Sequence, residues 1–204
     1  LVLELGGNAE ESLAAAVDAM SGQTEDAFDR VRALEERVNR LEDAVDARCL
    51  KILALHTPRG SDLRFVAMAM KIAVDLERIG DHASNIAKRS RAVRESSEFR
   101  TPTELVRMSE EVRTMIRNAL DAFVHRSVET ARVVLEHDDV VDDLHWELYR
   151  RLESTMAQDP SLVTHGLKPV HVIKDLARAA DHATNIAEGV IFMVEGRPGD
   201  ADPA

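Results

Sequence analysis

The chain has 204 residues, with 26 Lys and Arg against 37 Asp and Glu, a formal net charge of −11. Such acidity argues against nucleic-acid binding and against a polybasic membrane surface, both of which need clustered Lys and Arg. Aromatics at 3% argue against a β-sandwich or barrel, whereas abundant Ala, Leu, Glu and Arg point to helices.

The opening stretch 1–20 starts on the apolar-periodic Leu1, Val2, Leu3 and Leu5, so the chain reads as beginning inside a helix. Residues 24–56 place Phe28, Val31, Leu34, Val38, Leu41, Val45, Cys49, Ile52 and Leu55 at steps of three or four. The turn HTPRGSD follows, with Ser61 or Asp62 available as a cap. Residues 62–95 continue with Phe65, Ala69, Ile72, Leu76, Ile79, Ala83 and Ile86. After the Pro102 loop, 103–125 carries Leu105, Met108, Val112, Met115, Ala119 and Phe123. The span 128–157 carries Val134, Val141, Leu144, Leu148 and Leu152. The last helix is expected near 168–195, with Pro169 in its first turn or at a kink. The ending RPGDADPA reads as a disordered tail over 197–204.

Six helices result, and the fold class is all-α. Helices of about 30 residues are about 45 Å long and suit side-by-side bundles. Cys49 stands alone and reads as a buried free thiol. No signal peptide or apolar membrane-spanning window is visible, so a cytoplasmic protein with no membrane insertion is expected.

An internal repeat is the strongest signal. Residues 75–87 read DLERIGDHASNIA and residues 175–187 read DLARAADHATNIA, identical at nine of thirteen positions without a gap. Earlier in each half, NRLEDAVDARCLKIL is similar in pattern to DDLHWELYRRLESTM, which sets Asn39 over Asp142. The chain therefore reads as a tandem duplication of a three-helix unit, 1–97 and 98–196.

Glu77, Asp81 and Asn85 are four apart and lie along one helix edge as a row of oxygen donors. Two carboxylates one turn apart can bridge a hard or borderline cation, and a second helix must complete the sphere. Glu35 and Asn39 are the candidates before the first motif, and Asp138 and Asp142 before the second. A plainer explanation needs no metal: Asp75, Arg78 and Asp81 could form an intrahelical ion ladder, as could Asp175, Arg178 and Asp181. His82 and His182 read as interhelical or surface histidines, with phosphotransfer as the chemical alternative. Trp146 and Tyr149 read as core or rim.

KIAVDLERIGDHASNIAKR resembles the signature of the PhoU family, and DLARAADHATNIAEGVIFMVEG resembles that family's last helix. The resemblance covers the chain except its tail. It implies two similar three-helix bundles side by side. It also implies a non-enzymatic accessory and negative regulator of phosphate uptake and phosphate-starvation signalling. The implied partners are a phosphate ABC transporter, through its ATPase subunit, and a sensor histidine kinase, and a homodimer is expected. Metal ions are implied as well, held by Glu/Asp-x-x-x-Asp motifs; Fe, Zn, Mg, Mn or Ca are open choices. Carried over, the motifs fall on Glu77 and Asp81, on Asp138 and Asp142, and on Asp181, with Glu35 completing the first set. Asn39, Asn85 and Asn185 are possible further ligands. Ala177 stands where Glu77 has its counterpart, and Asn39 where an acid would complete the motif begun by Glu35. The competing functions are a histidine phosphotransfer protein and a purely structural bundle.

Overall fold

The computed structural model describes residues 1–21, 26–94 and 102–196. They form α1 (Val2–Ser21), α2 (Ala27–His56), α3 (Ser61–Arg94), α4 (Thr103–His125), α5 (Val128–Gln158) and α6 (Val163–Glu195). A single 3-10 turn, Pro160–Leu162, precedes α6, and no strand occurs among the described residues. The expected division at 97/98 and the tail 197–204 lie outside the described residues. No helix among those described is long and apolar enough to cross a membrane.

Helix boundaries follow local chemistry. Thr57 takes a left-handed φ of 39° to end α2, and Gly60 at φ 55° supplies the second reversal before α3. Ser127 caps α5 by accepting from the Thr130 N–H at 3.1 Å. Asp159 caps the 3-10 turn by accepting from the Ser161 N–H at 3.0 Å. That capped turn lets α6 begin at Val163, five residues earlier than the sequence pattern suggested, so Pro169 falls inside the helix. The missing Pro169 N–H deprives only the His165 carbonyl of its partner, and His165 is exposed to water.

The helices pack as α1–α2–α3 and α4–α5–α6, joined where α3 lies along α6 and α1 meets α4. Helix α2 touches only α1 and α3, so α2 and α5 occupy the outer edges. One apolar core runs through both bundles, from Leu5 and Leu13 through Ile72, Leu76 and Ile79 to Met108, Met115, Leu148 and Ile173. Cys49 is buried in it as a free thiol. Phe28 and Leu55, at the two ends of the apolar stripe of α2, are exposed. Gly6 packs against Leu120 in the α1–α4 contact: a Cβ there would sit 2.3 Å from Leu120 Cδ1 and push that side chain aside. One turn on, Glu10 accepts from Arg113 at 3.0 Å and from Arg117 at 2.6 Å.

Candidate metal faces and the repeat junction

The two outer grooves, α2–α3 and α5–α6, carry the acidic motifs. Helices α2 and α3 are antiparallel, and Val38 packs where Gly80 has no side chain; a Cβ at Gly80 would meet Val38 Cγ1 at 3.1 Å. This contact sets the longitudinal register. Going back from Val38 brings Glu35 level with Ser84, Ala87 and Lys88, which line one small cavity with it. Going forward brings Glu42 level with Glu77. The first acidic face is therefore Glu42, Glu77 and Asp81, with Asp46 beside Glu42. Glu35 lies further along, beside Ser84 and Lys88, while the exposed Asn39 directly follows Val38, level with the Glu77–Asp81 motif.

Charge effects report the same grouping. Burial raises the Glu77 pKa, with Asp81 and then Glu42 adding to the rise while Arg78 opposes it. Burial also raises that of Glu42, reinforced by Asp46 and Asp43. Asp46 Oδ1 is buried with no hydrogen-bond partner. Acids crowded in a half-buried groove, one with an orphaned oxygen, suit a cation that would pair them all. As they stand, no three His, Cys, Asp or Glu among the described residues converge into a ready coordination sphere. Side-chain rotation would be part of binding.

The second face comprises Asp138, Asp142 and Asp181. Burial raises the Asp138 pKa to about 6, with Asp142 and Asp181 as the next contributors. By the buried stripes of the two helices, where Val31, Val38, Val45 and Cys49 of α2 answer to Val134, Val141, Leu148 and Leu152 of α5, the Asp138–Asp142 pair stands where Glu35 and Asn39 stand in the first repeat. Ala177 leaves the second face one acid short.

The intrahelical ladder forms only in part. Arg78 donates to Asp81 at 3.2 Å and lies 3.4 Å from Glu77. Asp75 and Asp175 turn instead across the junction. The His182 Nδ1–H donates to Asp75 Oδ1 at 2.9 Å, and the His82 Nδ1–H to Asp175 Oδ1 at 3.1 Å. The two imidazoles meet with centroids 5.7 Å apart. Each repeat thus lends an aspartate to the other repeat's histidine, in a pseudo-two-fold arrangement. Arg89 also donates to Asp175 Oδ2. Asn85 is half-buried, and the exposed Asn185 lines a cavity between α3 and α6. Trp146 is 53% exposed, so it belongs to the rim and not the core.

The model of the PhoU domain matches residues 2–90 and again 105–190. The chain belongs to the PhoU family. It is 35% identical over 196 residues to the phosphate-specific transport system accessory protein PhoU homolog of Pseudomonas putida, covering 96% of this chain and 77% of that protein. The Pseudomonas aeruginosa homolog of the same name is also 35% identical, with 81% of it covered. Among solved structures, PhoU from Pseudomonas aeruginosa superposes with a TM-score of 0.87 at 34% identity, covering 96% of this chain and 94% of that one. The phosphate transport system regulatory protein PhoU from Streptococcus pneumoniae gives 0.88 at 26% identity, covering 98% and 94%. The paired family match and these likenesses bear out the all-α two-repeat fold.

Proposed function

We propose that this PhoU-family chain is a cytoplasmic accessory and negative regulator of phosphate uptake and phosphate-starvation signalling. In this reading it is a metal-binding adaptor between the ATPase subunit of a phosphate ABC transporter and a sensor histidine kinase. Family membership supports the phosphate role, since relatives carry the name of a transport accessory protein. The observation that carries the adaptor reading is the crowding of unbalanced carboxylates in both outer grooves.

Glu42, Asp46, Glu77 and Asp81 would hold metal on the first face, and Asp138, Asp142 and Asp181 on the second. A bound divalent or trivalent ion would neutralise charges that otherwise repel. The protein's part is to hold the paired helices so that their carboxylates share a groove. Fixing α2 to α3 and α5 to α6 would stiffen the outer edges, the surfaces left free for partners. A histidine phosphotransfer role draws less support, because His82 is 9% exposed and its Nδ1 is tied to Asp175.

Elemental analysis of tag-free protein, wild type against Asp81→Asn with Asp181→Asn, tests the metal. The expected outcome is metal in the wild type and its loss in the double variant. Pull-downs from phosphate-replete and phosphate-starved cells test the partners. Recovery of neither transporter nor kinase would sink the adaptor reading.

A further inference from the structure

The repeat junction has two pseudo-equivalent halves, and they are finished differently. At Asp175 both carboxylate oxygens are used: Oδ1 by His82 and Oδ2 by Arg89. At Asp75, Oδ1 takes the His182 proton, and Oδ2 has no partner among the described residues. The gapless offset of 100 between α3 and α6 puts Gly189 where Arg89 stands in the other half. Where that arginine is missing there is a cavity of about 600 Å³, with Asp75, Asn185, Glu188 and Gly189 in its wall.

The difference extends around the cavity. Met68, Val74, Glu188 and Gly189 line it. Their counterparts in the other half are Lys168, Lys174, Lys88 and Arg89. In the Asp175 half, Arg89 neutralises the aspartate. The other combines two carboxylates with an apolar wall. Val74 and Phe192, 44% and 39% exposed, continue that wall onto the surface. Lys71 also lines the cavity, but it makes no ion pair with Asp75 or Glu188 within 4.0 Å.

We propose that the cavity beside Asp75 receives an arginine side chain from a partner protein, its guanidinium taking the place that Arg89 holds against Asp175. The chemistry matches on three counts. A guanidinium fits a carboxylate through parallel N–H bonds, and Asp75 Oδ2 and Glu188 offer acceptors. Its aliphatic stem can lie along Met68 and Val74. The apolar rim at Val74 and Phe192 can cover residues flanking the arginine, which a free amino acid lacks. This inference stands apart from the metal faces, since none of its contacts is a carboxylate assigned there.

The test is a titration of the 15N-labelled full chain with acetyl-arginine-amide, with acetyl-Leu-Arg-Leu-amide, and with the citrulline version of each, which keeps the shape and removes the charge. The arginine ligands should shift the amide signals of Asp75, Asn185 and Gly189, with affinity on the order of millimolar for a single side chain. The tripeptide should bind at least roughly threefold tighter than the single residue, and Asp75→Asn should weaken both by roughly tenfold or more. Lys71→Gln, which removes a competing cation, should not weaken binding. Gly189→Arg combined with Met68→Ala supplies the arginine internally and should abolish it; the second change makes room, because a Cβ at Gly189 would lie 2.4 Å from Met68 Sδ. Equal shifts with citrulline, shifts elsewhere on the surface, or none at roughly 50 mM ligand would overturn the proposal. A tripeptide no tighter than acetyl-arginine-amide would overturn the assignment to a partner protein.

Discussion

The two repeats share a plan and differ in how each handles its carboxylates. In the first, Glu42, Asp46, Glu77 and Asp81 crowd one groove, while Asp75 keeps an unused oxygen at the junction. In the second, Ala177 leaves the groove with Asp138, Asp142 and Asp181, and both oxygens of Asp175 are paired, with His82 and Arg89. Duplication has kept the Asp–His pairs of the junction and let the charges around them diverge. Asp175 of the second repeat is neutralised by His82 and Arg89, both from the first, whereas the second repeat offers Asp75 only His182.

The largest expected effect breaks the contrast at the junction. Asp175 is buried with two partners, so Asp175→Ala strands His82 and Arg89 and should cost about 2–3 kcal/mol in urea denaturation. Asp75 is more exposed and has one partner, so Asp75→Ala should cost about 1 kcal/mol or less. Equal losses would mean that the two halves are equivalent in energy.

Next in size is a change that erases the difference between the grooves. Ala177→Glu restores the missing acid on the second face. Metal-binding stoichiometry or affinity there should rise by calorimetry, and the metal-free protein should lose a few tenths of a kcal/mol to added repulsion.

A third effect concerns pH. The folded Asp138 pKa of about 6 lies above its ordinary value of 3.8. Folding therefore favours the protonated form. The stability tied to this group is fully present below about pH 3.8 and is lost as pH rises through about 6. Asp138→Asn in metal-free protein should flatten the stability profile across that window and leave the protein more stable at pH 7. An unchanged slope would mean that the groove does not feel its own charge.

The smallest effect is a matched pair on α2. Glu42→Gln should weaken metal retention on the first face, whereas Glu35→Gln should leave it unchanged. The reverse result would restore the register expected from the sequence pattern.

That pair also marks the limit of what was legible beforehand. The six helices followed from apolar spacing, because long amphipathic helices carry their periodicity through every turn. The register between helices did not follow. Glu35 and Glu42 are seven residues apart, two turns along nearly the same face, so periodicity treats them alike. Only the contact between Val38 and Gly80 tells which one reaches Glu77. The His–Asp exchange links residues 93 and 107 positions apart, and nothing local announces it. The ladder reading went astray for the same reason, with Asp75 and Asp175 finding partners on another helix. Pro169 misled in another way: a proline tolerated nearly two turns inside a helix looks in sequence like a helix start.

One surface feature makes the two grooves separately observable. Trp146, the only tryptophan, is exposed on α5 one turn beyond Asp142, beside His145 and Tyr149. Helix α2 carries no such chromophore. An ion settling among Asp138, Asp142 and Asp181 would therefore change the indole emission, while one settling among Glu42, Glu77 and Asp81 would leave it dark to the fluorimeter. Loading the protein while following both fluorescence and total bound metal would show which groove fills first.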